Sequence, residues 1–109
     1  MLTATKNQRE FYRIVYPVNS GRKFKAARKR ELAEVIELSQ GGLRIRGAMP
    51  GVRCGDVISG TILFAGEPIM TIASVKRVCE DYTALVFIKP LPILNVLNEQ
   101  IRIRREYPS

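Results

Sequence analysis

Past residue 30, hydrophobic and polar positions alternate in short runs broken by glycine, proline and acidic turns, the pattern of antiparallel strands. Residues 31–38 (ELAEVIEL) place Leu32, Ile36 and Leu38 on one face by period two. Gln40-Gly41-Gly42 follows as a turn, because glycine takes φ > 0 without steric cost. Leu43 and Ile45 then point inward and Arg44 and Arg46 outward, which predicts a hairpin over 31–46. Residues 47–51 read as a loop, and 56–65 (DVISGTILFA), 69–78 (IMTIASVKRV) and 83–88 (TALVFI) as further strands. Gly66-Glu67-Pro68 and Cys79-Glu80-Asp81 are the turns between them. A weaker strand candidate covers 18–26, with Phe24 as its apolar point. Six short strands at near-regular spacing predict an all-β fold, a six-stranded antiparallel β-barrel or a sandwich.

The tail changes period. Pro90 breaks the last strand, and Pro92 suits the first turn of a helix. Ile93, Leu94, Leu97 and Ile101 recur at helical spacing, so a C-terminal α-helix is predicted over 92–106 with that stripe packed on the barrel. Pro108 ends it.

A chain of 109 residues with 46% hydrophobic and 26% charged content is one globular domain, not a disordered segment. It has no apolar run long enough to span a membrane and no apolar leader, so a cytoplasmic protein is expected. The absence of histidine excludes Ser–His and Cys–His catalysis, and no acidic pair stands out, so no enzyme and no catalytic residue is predicted. Cys54 and Cys79 lack metal-ligand spacing and argue for neither a zinc site nor a disulfide scaffold; no metal or cofactor is expected. Gly55 to Thr61 nearly matches a phosphate-binding loop but lacks its lysine and lies in a strand, so Gly60 is read as a bulge or close-packing point.

Charge is what points to a partner. Of the net +8, all lies in residues 1–30, with nine basic side chains against Glu10 alone; residues 31–109 hold nine of each sign. Such asymmetry favours an anionic partner. Arg22, Lys23, Lys25, Arg28, Lys29 and Arg30 form a second basic cluster, read either as a solvated turn or as a docking patch. Arg9 and Arg13 form an RxxxR pair, whose planar forks can grip phosphate or the edge of guanine in bidentate fashion. In Glu37-Leu-Ser39-Gln-Gly41-Gly42, the carboxylate can accept from the N–H groups of guanine, Ser39 can donate to a phosphate or base, and Gly42 leaves the backbone approachable.

RxxxR, one strand, then [D/N]xSxxG at the end of the next resembles the PilZ domain over about residues 7–106. The likeness extends to VIELSQGGLRI (35–45) and to the closing helix with Asn98-Glu99-Gln100 and Arg104-Arg105. Glu37 stands where the family has Asp or Asn, a departure of one methylene. The resemblance implies the barrel with its C-terminal helix and a ligand, cyclic di-GMP. It implies a ligand site of Arg9, Arg13, Glu37, Ser39, Gly41 and Gly42. Residues 1–13 would then be a basic arm that orders over the nucleotide, and 14–109 the barrel and helix. The signal would pass to a protein partner of flagellar, pilus, polysaccharide or regulatory type. Two other readings stay open: a PilZ-fold adaptor that binds no nucleotide, and a small-barrel nucleic-acid binder. Nucleic acid is the least expected partner, since the chain has only eight aromatics and Phe11, Tyr12 and Tyr16 gather beside the RxxxR.

Overall fold

The computed structural model describes residues 13–64 and 67–108. Among the described residues, seven strands precede one helix: β1 Ile14–Val15, β2 Lys23–Ala26, β3 Ala33–Leu38, β4 Gly42–Arg46, β5 Val57–Leu63, β6 Ile69–Val78, β7 Tyr82–Phe87 and α1 Ile93–Glu106. Every pairing is antiparallel. The order β3-β2-β5-β6-β7-β4 closes on itself through β3–β4, giving the expected six-stranded barrel. β1 is an extra strand. It pairs with the C-terminal part of β3 (Ile14 with Leu38, Val15 with Glu37), while β2 takes the start of β3 (Lys23 with Glu34, Phe24 with Ala33). The strand expected over 18–26 is therefore only Lys23–Ala26.

The alternation of β4 holds: Leu43 and Ile45 are buried, Arg44 and Arg46 exposed. That of β3 does not. Val35 pairs with Ile45 and Glu37 with Arg44, so Ile36 is the extra residue of a bulge. Val35 and Leu38 both point into the core, Ile36 is half-buried, and Leu32 is exposed before the strand begins. One inserted residue inverts the faces that a strict period of two assigns. Gly60 is a close-packing point, since a Cβ there would run into the Phe24 ring.

The helix corrects a second expectation. Its buried residues are Val96 and Glu99, with Ile103 against the core, whereas Ile93, Leu94 and Ile101 face outward. Glu99 is fully buried. Its Oε2 accepts from the Tyr16 hydroxyl at 2.7 Å and from Arg22 Nε at 2.9 Å, and Arg102 lies 3.4 Å from Oε1. Arg22 also grips Glu106 through both terminal nitrogens, at 2.8 and 2.7 Å, and donates to the Ser20 carbonyl. Its side chain is 3% exposed, so it does not belong to a solvated basic cluster. Two guanidiniums balance two carboxylates, and no buried side-chain polar atom among the described residues lacks a partner.

These contacts set a pH dependence. The Arg22 hydrogen bonds hold the Glu106 carboxyl below its ordinary 4.5; Arg46, then the Asn19 N–H, do the same to Glu34. A folded-state value below the unfolded one adds stability that is present above about pH 4.5 and is lost as pH falls through the folded value. Burial first, then the Glu99 charge, push the Tyr16 phenol above its ordinary 10.0, so its contribution is present below that pH and is lost as pH rises toward the folded value. We expect a urea-midpoint profile that declines at both ends. Glu34→Gln should shrink the acid decline and Tyr16→Phe the alkaline one; profiles parallel to wild type would refute these assignments.

Candidate functional site

The register of β1 on β3 brings two of the sequence-predicted residues, Arg13 and Glu37, together. Val15 lies opposite Glu37, so the residue two before it, Arg13, reaches the same carboxylate: its Nε stands 2.8 Å from Glu37 Oε1. Arg44, paired with Glu37 across β3–β4, holds the other oxygen at 3.2 Å. Both arginine side chains are about half exposed, 51% and 50%, while that of Glu37 is 16% exposed. One carboxylate thus holds two guanidiniums side by side on the outer face of the barrel. A carboxylate has about four lone-pair sites, so Glu37 keeps acceptor capacity beyond these two contacts.

Two further residues extend this face, and sequence reasoning missed both. Arg44 lies over the Tyr82 ring at 4.9 Å, and Arg77 Nη1 donates to the Tyr82 hydroxyl at 3.3 Å. Tyr82 is paired with Arg46 on the neighbouring strand, two residues along from Arg44. The signal available in the sequence was the outward phase of Arg44; its partner on β7 is set by long-range register, which no local pattern reveals. The result is a basic outer face, Arg13, Arg44 and Arg77, with Glu37 between the first two and the Tyr82 ring between the last two. Chemically it suits an anion that also offers a flat ring or an N–H edge.

The turn after β3 stands beside this face. Ser39 closes it, its backbone N–H donating to the Gly42 carbonyl at 2.9 Å and its hydroxyl lying 3.4 Å from the same oxygen. The Gly41 carbonyl accepts from Phe87 N at 2.8 Å and that of Gln40 from Leu91 N at 2.8 Å, which ties the turn to the β7–α1 connector. Gly42 has a structural reason of its own. A Cβ there would drive into the Leu85 carbonyl, so the missing side chain serves the approach of β4 to β7. Arg9 lies outside the described residues. The rest of the basic cluster is dispersed: Lys25 points outward from β2, and Lys29 donates to the Pro50 carbonyl. Cys54 and Cys79 are free thiols.

This is a closed six-stranded antiparallel barrel with a C-terminal helix and a basic outer face. No family model matches the sequence. No curated protein matches it either. Among solved structures, the crystal structure of the Legionella uncharacterized protein Lpg0364 is similar, with a TM-score of 0.61 at 15% identity over 86% of this chain and 95% of that one. At that identity the likeness concerns the fold alone. Among the described residues no helix is long and apolar enough to cross a membrane.

Proposed function

We propose that this protein is a PilZ-like receptor for cyclic di-GMP, a binding module of the cytoplasm without catalysis. The observation that carries the reading is the junction of Arg13 with Glu37, beside the Ser39–Gly42 turn, since it joins the two separate halves of the RxxxR and [D/N]xSxxG pattern on one surface. Cyclic di-GMP carries two phosphates and two guanines. Half-exposed guanidiniums at Arg13 and Arg44 suit the phosphates, and the free lone pairs of Glu37 suit a guanine edge. Arg9 would complete the grip from the N-terminal arm, and closure of that arm would carry the signal to a protein partner.

A second reading, a PilZ-fold adaptor that binds no nucleotide, draws on one observation: both Glu37 oxygens are already engaged by the chain's own arginines. A nucleic-acid role draws on less, because Phe24 and Phe87 are buried and Tyr82 is covered by Arg44.

Isothermal titration with cyclic di-GMP, using GTP and cyclic di-AMP as controls, separates the first two. The receptor reading expects saturable, selective binding. Arg13→Ala and Arg9→Ala should each weaken it by about 1–3 kcal/mol, the scale of a charged bidentate contact. No binding by the wild type favours the adaptor, and binding unchanged in both variants refutes the site.

A further inference from the structure

A barrel in water ordinarily turns polar side chains outward, and one face of this barrel does not. Val57, Met70, Ile72, Val86 and Ile88 are all exposed, on β5, β6, β7 and the start of the connector after it, Met70 by 85%. Register makes them one surface. Met70 is paired with Thr61, Ile72 with Ser59, and Ser74 with both Val57 and Val86, while Ile88 N donates to the Ile72 carbonyl at 2.9 Å. Beside Ile72 this surface sinks into a groove of about 560 Å³, lined by β5, β6 and the Ile88–Pro92 connector. A contiguous exposed apolar surface of this kind marks an interaction site.

Charge and shape narrow the occupant. Among the described residues, Lys89 is the one charged residue that lines the groove. Lys25 is exposed on β2 in register with Thr61, and Ala27, another lining residue, runs straight into exposed Arg28. Among the described residues no acidic side chain lines it. A small molecule would be poorly enclosed, since such ligands bury most of their surface and Met70 stands open to water. A flat bilayer leaves a concave groove unfilled. A second copy would bring its exposed helix stripe, Leu94 and Ile101, together with Arg104 and Arg105 against Lys25 and Lys89, which repels.

We propose that this groove docks an acidic segment of a partner protein, anchored by aliphatic or aromatic side chains between Ile72 and Pro90–Pro92, with Asp or Glu answering Lys25 and Lys89. This surface shares no residue with the Arg13–Glu37 pair, although Val86 at its edge pairs with Gly42, and the inference does not rest on nucleotide binding.

The probe is a synthetic amphipathic helix of about 14 residues with Leu at i, i+3, i+4 and i+7 and Glu elsewhere. Its counterpart carries Lys in place of Glu. Both are titrated into the 15N-labelled, nucleotide-free full chain. The acidic peptide should give saturable amide shifts centred on Met70, Ile72, Ile88 and Lys89, and bind about tenfold or more tighter than the lysine peptide. Ile72→Asp and Met70→Asp, both at exposed positions, should each remove these shifts while the remaining spectrum stays folded. Lys89→Glu should narrow or reverse the preference between the peptides, which a purely structural defect would not do. The proposal is overturned if the acidic peptide gives no saturable shifts there, if both peptides bind equally, or if the Asp variants bind like wild type. It is also overturned if the patch instead mediates binding to phosphatidylglycerol vesicles without peptide binding, or a dimer in sedimentation that Ile72→Asp dissolves.

Discussion

Replacing Glu99 by alanine is expected to lower stability by about 3–5 kcal/mol, the cost of removing one partner from a buried ion pair. Glu99 is fully buried and accepts from Tyr16 and Arg22, with Arg102 beside its second oxygen. Without it, the Tyr16 hydroxyl loses its acceptor, Arg22 Nε is left buried and unpaired, and a cavity opens between α1 and the strands. In a domain near this size each kcal/mol moves Tm by about 4–8 °C, so a fall of roughly 12 °C or more should appear by calorimetry. Glu99→Gln keeps the volume and an acceptor, and should cost less than Glu99→Ala. The triple variant Tyr16→Phe, Arg22→Met, Glu99→Leu should recover much of the loss, because a well-packed apolar substitute for a buried ion pair is often neutral or better. A Glu99→Ala protein as stable as wild type would mean that Val96, Ile103 and the Arg22–Glu106 pair hold α1 without the Glu99 contacts.

This network also explains why the helix was legible while its orientation was not. The 3.6 period of Ile93, Leu94, Leu97 and Ile101 marks a helix correctly. A reading that ranks residues by apolarity must turn that stripe inward and Glu99 outward. The barrel inverts this because Tyr16 and Arg22, 83 and 77 residues away in sequence, supply Glu99 with its partners. The strands of the second half were more transparent: β6 runs over Ile69–Val78 as its apolar pattern indicates, and β4 alternates cleanly. β3 misled because its bulge lies where the in–out phase is read. At the candidate site, Arg13 and Glu37 could be singled out because both fall within the RxxxR and [D/N]xSxxG pattern, whereas the packing reason for Gly42 lies on β7, outside that pattern. Arg44 over Tyr82, and Arg77 beyond it, arise from pairing across β4, β7 and β6, and leave no mark within either segment.

Gly41 and Gly42 are neighbours in the same turn, and we expect opposite responses to alanine. A Cβ on Gly41 would meet nothing within 4 Å, and its φ is not positive, so Gly41→Ala should change stability by no more than about 0.5 kcal/mol. A Cβ on Gly42 would collide with the Leu85 carbonyl oxygen and approach Leu85 C and Val86 Cα at 3.3 Å. These are backbone atoms of β7, which cannot swing aside as a side chain would. Relief requires β4 to move away from β7, across pairings that run from Gly42 with Val86 to Arg46 with Tyr82, and that movement would also disturb the bond from Phe87 N to the Gly41 carbonyl. Gly42→Ala should therefore cost about 3 kcal/mol, the upper end for overpacking, and show it as a lower urea midpoint with an unchanged m-value. The pair separates two meanings of one motif. If Gly41→Ala folds normally and loses affinity for cyclic di-GMP, the turn touches the ligand. If only Gly42→Ala loses affinity, in step with its stability, that glycine is in the motif because two strands must close a barrel there. A Gly42→Ala protein as stable as wild type would show that β4 and β7 have room to part, and would return Gly42 to a role at the ligand.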